Sequence, residues 1–182
     1  MNTPAFFALI ACWILWVAPF LIHKVRESKR PAQLTVTASR WGIAIQTVAY
    51  FVAWYGKPSS RPLGVQFAGI LFGALAVALS WTAIRNLGKQ LRIHAGLYPD
   101  HELVRSGPYR IVRHPIYAGM LAIYLATALI YSNWITGTIG LVLMIVGTEI
   151  RVRIEDGLLA SRFTEDFARY KGTTPAYIPF VR

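Results

Sequence analysis

Cysteine is all but missing from this chain: Cys12 is the only one among 182 residues. A single thiol makes no internal disulfide and no cysteine-based metal site, so nothing in the sequence signals an oxidising compartment. Acid is scarce too, with 8 Asp and Glu against 19 Lys and Arg and a formal net charge of +11. Charge of either sign occupies only 15% of positions, whereas 55% are hydrophobic. Internal repeats and low-complexity tracts are absent. A soluble protein this basic would point to nucleic acid, but the placement of the apolar residues excludes that partner.

What the chain has instead is long apolar runs. A hydrocarbon core about 30 Å thick takes roughly 20 apolar residues to cross as a helix. Thr3 to Ile22 is one such run without a charge, and Gly42 to Gly56 and Leu63 to Ile84 are two more. A fourth extends from about Pro115 to Tyr131 and a fifth from Trp134 to about Ile150. These runs predict an all-α integral membrane protein, one domain over 1–182, with about five transmembrane helices. Three belong to 1–84, and two belong to 85–182, where the tight turn Ser132-Asn133 makes them a helical hairpin. The last two runs are short, which leaves open a hairpin that stops before the far face or a bilayer that thins locally. The first run lacks a basic n-region and a small-residue cleavage site, and Lys24, Arg26, Lys29 and Arg30 follow it. It therefore reads as a retained helix, not a removed signal.

The cations alternate. Segments 23–41, 85–114 and 151–182 together hold 17 of them, and segment 57–62 holds only Lys57 and Arg61. That asymmetry predicts an N-terminus outside and a C-terminal tail in the cytoplasm, in the inner membrane if the source is bacterial. It also draws anionic membrane lipids to the basic face. Gly69, Gly73 and Ala76 in the third run, four and three apart, predict close helix packing.

Loop 85–114 and tail 151–182 hold six of the eight acidic residues, so chemistry concentrates there. Arg151 and Glu155 stand four apart, as do Glu149 and Arg153, so each pair meets on a helix surface. Leu159, Phe163, Phe167 and Tyr170 recur at helical spacing among charged residues, which predicts a cytoplasmic amphipathic helix. The stretch SGPYRIVRHPIYAG (106–119) interrupts the apolar pattern with a turn signal at Ser106-Gly107-Pro108-Tyr109. Pro115 suits the first turn of the fourth helix, with His114 at its N-cap, and free amides there suit an anionic group such as a carboxylate. The same residues also fit an ordinary interfacial belt, and Arg151–Glu155 an ordinary surface pair. Topology sets both at one membrane face, where ionisable groups are functional candidates. His23, His94, His101 and His114 lack metal-ligand spacing, so no metal is expected.

HELVRSGPYRIVRHPIYAG (101–119) and RVRIEDGLLASRFTEDFARYKGTTPAYIP (151–179), taken together, resemble the isoprenylcysteine carboxyl methyltransferase family and its phospholipid methyltransferase relatives. The resemblance implies membrane-embedded methyl transfer from S-adenosylmethionine, leaving S-adenosylhomocysteine, to a lipophilic or prenylated acceptor arriving through the bilayer. Carried over by position, it implies cofactor contacts at His94, His101, Glu102, Leu103, Val104, Tyr109, His114, Pro115, Ile116, Tyr117 and Glu155. Arg151 is then the substrate-side cation, and Arg151 and Glu155 are the implied catalytic pair. In that scheme His114 and nearby amides take the cofactor's carboxylate, Glu155 its ammonium, and tyrosine rings lie near its sulfonium. A carboxylate acceptor needs no base and is oriented by Arg151 through paired hydrogen bonds, whereas an amine acceptor needs a base, a poor role for arginine. Carboxyl O-methylation of the isoprenylcysteine type leads; phospholipid N-methylation, a nicotinamide-dependent membrane reductase and a non-catalytic lipid-binding scaffold are the alternatives. Two departures stand out: Glu155-Asp156 replaces the family's paired glutamates, and Phe163-Thr164-Glu165-Asp166-Phe167 replaces its usual Phe-Gly-x-x-Tyr.

Overall fold

A computed structural model describes residues 3–27, 34–55, 61–91, 95–97 and 100–179. The apolar runs become helices α1 (Thr3–Glu27), α2 (Ser39–Tyr55), α3 (Leu63–Leu87), α4 (Pro115–Ile130) and α5 (Trp134–Thr173). Three stretches, Pro4–Ile22, Leu63–Gln90 and Trp134–Thr173, are long and apolar enough to cross a bilayer, and α4 is an apolar helix of only 16 residues. Large apolar side chains face outward along the bundle, among them Phe7, Ile14, Phe51, Leu71, Ile139 and Val142. Lipid tolerates such a belt, whereas water does not. On α5 the belt ends near Ile150; further along, the exposed positions Arg153, Arg162 and Glu165 are charged. About 17 apolar residues at 1.5 Å each span roughly 25 Å, so the rest of α5 projects beyond the hydrocarbon.

Helix pairing follows the small residues. The buried face of α2 is Ser39, Gly42, Gln46, Ala49 and Ala53, and it packs along Gly140, Met144, Gly147 and Arg151 of α5. A methyl group at Gly147 would lie 2.8 Å from the Gly42 carbonyl oxygen, so the two backbones meet where only glycine fits. The predicted stripe on α3 works the same way: a methyl at Gly73 would meet Cys12 Sγ at 2.8 Å, and Ala76 is fully buried. The α4–α5 connection is the expected tight turn, with Asn133 Oδ1 capping α5 by accepting from the Thr136 amide at 2.9 Å. Its two arms, however, touch each other less than α4 touches α3 or α5 touches α2. The splay leaves room between them and α1 at the end where α4 begins.

Pro19 lies inside α1 and brings no amide proton, which removes the helical partner of the Leu15 carbonyl. The Trp81 indole of α3 supplies it, donating to that oxygen at 2.9 Å. In a bilayer such a repair by a neighbouring helix is what lets an internal proline persist.

Two features fall outside the sequence expectation. Backbone strands β1 (Leu34–Thr35) and β2 (Gly96–Leu97) pair antiparallel and tie the first basic loop to the loop after α3. The long α5 is also broken at Thr164, whose φ of 37° and ψ of −106° are non-helical. The amphipathic segment after it, with Phe167 and Tyr170 buried, is therefore a separate helical piece. Thr164 stands where the family's usual pattern has glycine, the residue that takes positive φ without penalty.

Candidate active site

The polar interruption in the sequence becomes the wall of a cavity of about 380 Å³, within the size range of small-molecule sites. It opens where α4 begins and α5 leaves its apolar belt. His101, Glu102, Leu103, Val104, Tyr109, His114, Ile116, Tyr117, Arg151 and Glu155 all line it. Pro115 is fully buried in the first turn of α4 and does not face the cavity. His94 lies outside the described residues. The rest of the wall includes residues from elements outside the motif: Trp16, Val17 and Phe20 of α1, and Gln90 in the 3-10 turn that follows α3.

Local sequence explains the entry into α4. Gly107 takes a φ of 57° and opens the 3-10 turn Gly107–Arg110, with Pro108 next in it. His114 is the N-cap residue and Pro115 the first helical one, as the spacing predicts. Its side chain caps nothing on the helix. Instead, Nε2–H donates to Asp156 Oδ1 at 2.9 Å, and Nδ1 lies 3.5 Å from Glu155 Oε2. The Tyr117 ring stacks on the imidazole at 5.6 Å, and its hydroxyl donates to Glu155 Oε1 in a short bond.

Asp156, read from the sequence only as a mild variant of a paired glutamate, proves to be the hub. It is buried, and it accepts from His114, from Arg113 Nη2 at 3.0 Å and from Lys171 Nζ at 3.3 Å. The tail closes the arrangement. The amides of Arg113 and His114 donate to the Pro175 and Ala176 carbonyls at 2.9 and 2.8 Å, and Arg113 Nη1 donates to the Thr174 carbonyl in a short bond. Tyr177 then returns to α5 by donating to Glu149 Oε1 at 2.8 Å. Both ring nitrogens of His114 and the amides beside it thus face groups of the chain itself, so His114 tethers the carboxylates rather than offering an open anion site.

These groups lie beyond the apolar stretches, and their mutual contacts set their charge. Burial works against a charged imidazole, but hydrogen bonds to Asp156 and Glu155 outweigh it and raise His114 above its ordinary value. Burial alone would push both carboxyls up. The bonds to His114 and Arg113 instead hold Asp156 down at about 2, and those to His114, Arg151 and Tyr117 hold Glu155 below the usual range. The cavity wall thus sets the Glu155 carboxylate beside an imidazole whose charged form its two carboxylate neighbours favour.

Arg151 is a buried cation in the wall of the same cavity. Its guanidinium lies 4.8 Å over the Tyr117 ring, and Nη2 is 3.9 Å from Glu155 Oε1. Nη1 donates to Gln46 Oε1 at 3.2 Å, while Gln46 Nε2 donates to Thr148 Oγ1 at 2.9 Å. Gln46 had a signal that sequence reading passed over: a lone amide side chain within an apolar run needs a partner inside the bundle. Trp16 carried none, because a tryptophan in an apolar helix looks like any other belt residue. Among the described residues no three His, Cys, Asp or Glu side chains are grouped to hold a metal.

Residues 65–166 match the model of a family described as phospholipid methyltransferase. Over 152 residues the chain is 33% identical to the cobalt-zinc-cadmium resistance protein CzcN of Cupriavidus metallidurans, covering 79% of this chain and 65% of that protein. It is 29% identical over 82 residues to the protein-S-isoprenylcysteine O-methyltransferase of Schizosaccharomyces pombe, covering 45% and 35% respectively. To protein-S-isoprenylcysteine O-methyltransferase B of Arabidopsis thaliana it is 31% identical over 115 residues, covering 62% and 58%. The chain thus spans about one third to two thirds of the lengths of these relatives.

Proposed function

Because this chain belongs to the phospholipid methyltransferase family, we propose that it is a membrane methyltransferase that uses S-adenosylmethionine to methylate a carboxylate on a lipophilic acceptor of the prenylated type. The observation that carries this reading is Arg151, a buried guanidinium held on Gln46 and facing the same cavity as Glu155 and the His114–Tyr117 turn. A planar cation fixed in this way orients a carboxylate through two parallel hydrogen bonds.

The residues present fit the cofactor. Gln90 is 4% exposed, lines the cavity, and its Oε1 accepts from no group among the described residues; an amine or hydroxyl of the cofactor would satisfy it. Glu155 lines the cavity with its charge maintained and would face the ammonium. Tyr109 and the loop His101–Val104 complete the wall around these two groups. When bound, the cofactor supplies a methyl group on a sulfonium sulfur, ready for in-line displacement.

The chain's own part is to align and to exclude water. Arg151 sets the acceptor, Gln46 sets Arg151, and Asp156 with the tail sets His114 and, through it, Glu155. A carboxylate gives up no proton when methylated, so no base is needed. An amine acceptor needs one, and here both His114 ring nitrogens are already engaged by Asp156 and Glu155, while burial, which would raise the Glu155 carboxyl, is outweighed by His114, Arg151 and Tyr117, which lower it and make it a weaker base. That supports carboxyl O-methylation over phospholipid N-methylation. Residues 85–182 would supply the cofactor half and 1–84 the lipid-side wall. The basic loops around this face support a cytoplasmic cavity with the N-terminus outside.

The test uses the protein in lipid nanodiscs with methyl-labelled S-adenosylmethionine, offering N-acetyl-S-farnesylcysteine and phosphatidylethanolamine separately. Label that enters the farnesylated acid and is released as methanol by alkali supports the reading. Alkali-stable label in the phospholipid would replace it with N-methylation.

A further inference from the structure

Three tryptophans of α1 and α3 have described indole contacts, and they differ in one respect. Trp13 Nε1 donates to Thr127 Oγ1 at 3.0 Å, and Trp81 Nε1 donates to the Leu15 carbonyl at 2.9 Å. Trp16 Nε1 donates to no group among the described residues, although the residue is only 9% exposed. Buried indole N–H groups ordinarily find an acceptor. This one lies in the wall of the cavity that Arg151 also lines.

The setting fixes what that acceptor is. The Trp16 ring is held edge-on by Trp13 at 5.5 Å and tilted against Phe20 at 5.3 Å, so the indole is positioned and not free to turn away. Its Nε1 lies beside Gly119, one turn into α4, where any Cβ would approach it to 3.6 Å. Val17, Phe20 and Met120 continue the wall as an apolar surface. A donor at an apolar strip, in the wall of a cavity that a guanidinium also lines, suits a ligand with oxygen lone pairs at its head and hydrocarbon behind.

We propose that Trp16 donates its indole N–H to a carboxylate oxygen of the lipophilic acceptor, sharing that head group with Arg151, so that α1 supplies a specificity-determining contact. The inference rests on the carboxyl-methyltransferase reading and deepens it. The division of labour is physical: Arg151 brings charge, whereas Trp16 brings direction, and the aromatic–apolar strip on α1 and α4 carries the chain of the acceptor. An acceptor without oxygen at that position leaves the indole unpaired, which is how buried polar groups reject a near-isostere.

The experiment measures binding to the protein in nanodiscs saturated with S-adenosylhomocysteine. Two probes are compared, N-acetyl-S-farnesylcysteine and its decarboxylated counterpart, N-acetyl-S-farnesylcysteamine. Trp16→Phe is expected to weaken the carboxylate probe about tenfold or more, the usual loss for a hydrogen bond to a charged group, and to leave the decarboxylated probe unchanged. Phe20→Leu, a packing change in the same wall, should weaken both alike. Equal loss for both probes in Trp16→Phe, or no loss for either, overturns the proposal. Retained S-adenosylhomocysteine binding shows that each variant is folded.

A second measurement needs no variant. In protein labelled with ¹⁵N at its 6 tryptophans, one indole resonance should move downfield with the carboxylate probe and not with the other. A spectrum in which none responds to the carboxylate overturns the contact. If the parent binds S-adenosylhomocysteine but neither probe, the reading of the acceptor fails first and this inference fails with it.

Discussion

Asp156 holds His114 by a 2.9 Å hydrogen bond from the imidazole Nε2 to Oδ1, and the same carboxylate takes Arg113 and Lys171 at 3.0 and 3.3 Å. One buried anion on α5 thus anchors the start of α4 and the end of the amphipathic tail. Removing it strands the Arg113 guanidinium, itself only 9% exposed, without its only carboxylate contact among the described residues. Asp156→Ala should therefore cost about 3–5 kcal/mol, the range for breaking a buried pair. Thermal unfolding in nanodiscs followed by tryptophan fluorescence checks it, and a loss below about 1 kcal/mol would show that water, not Asp156, carries these charges.

The same cluster dictates a pH profile. Asp156 is held at about 2, below its ordinary value of 3.8, so its contribution is present above about pH 4 and is lost as pH falls towards 2. A shift of that size corresponds to about 2 kcal/mol. His114 is raised from 6.5, so its contribution is full below about pH 6.5 and fades as pH rises through the raised value. Unfolding free energy should then be greatest between about pH 4 and 6.5. The alkaline loss should disappear in His114→Gln while the acid loss remains; a wild-type alkaline limb in that variant would assign it to another group.

How much of this was legible beforehand depends on what each residue type announces. Apolar length gave α1 to α4 to within about five residues and the start of α5, because backbone buried in lipid must satisfy its own hydrogen bonds, but not the end of α5, which runs on past the apolar stretch to Thr173. Pro115 after His114 gave the start of α4 for the same local reason. Hairpin topology set the His114–Tyr117 turn and Arg151–Glu155 at one membrane face, but that His101–Val104 and Tyr109 join them was readable only through the family pattern, since spacing alone does not bring that loop to the site. Trp16 and Gln90 were out of reach: their significance is an unpaired atom facing a cavity, and a pairing deficit exists only in three dimensions. Asp156 was visible but misweighed, because sequence shows a carboxylate's identity and not the three cations around it.

Gln46 should behave as a positioning residue. It is 2% exposed, its oxygen accepts from Arg151, and its nitrogen donates to Thr148, so Gln46→Leu leaves both partners without that contact. Losing one hydrogen bond to a charged group costs about 1.5–3 kcal/mol. The expected signature is a rise of about tenfold or more in KM for the farnesylated acid with S-adenosylhomocysteine affinity unchanged. Gln46→Glu should partly restore it, since a carboxylate also accepts from Arg151. A variant that loses cofactor and acceptor binding together would instead make Gln46 a general packing element between α2 and α5.

Thr164 offers the clearest test of how the tail is attached. A β-branched residue at φ 37° pays steric strain of order 1–3 kcal/mol, and glycine at the same place avoids it while losing up to about 1 kcal/mol to its freer unfolded chain. Thr164→Gly should then gain about 1 kcal/mol net, or roughly 2–4 °C in Tm for a chain of this size. Thr164→Ala serves as the control, because alanine keeps the Cβ that creates the clash and should not gain as much. If glycine and alanine raise Tm equally, the benefit comes from losing the hydroxyl or the branch. If glycine lowers it, the bend is imposed by Phe167 and Tyr170 docking behind it, and stiffness at Thr164 helps to hold the tail across the cavity wall.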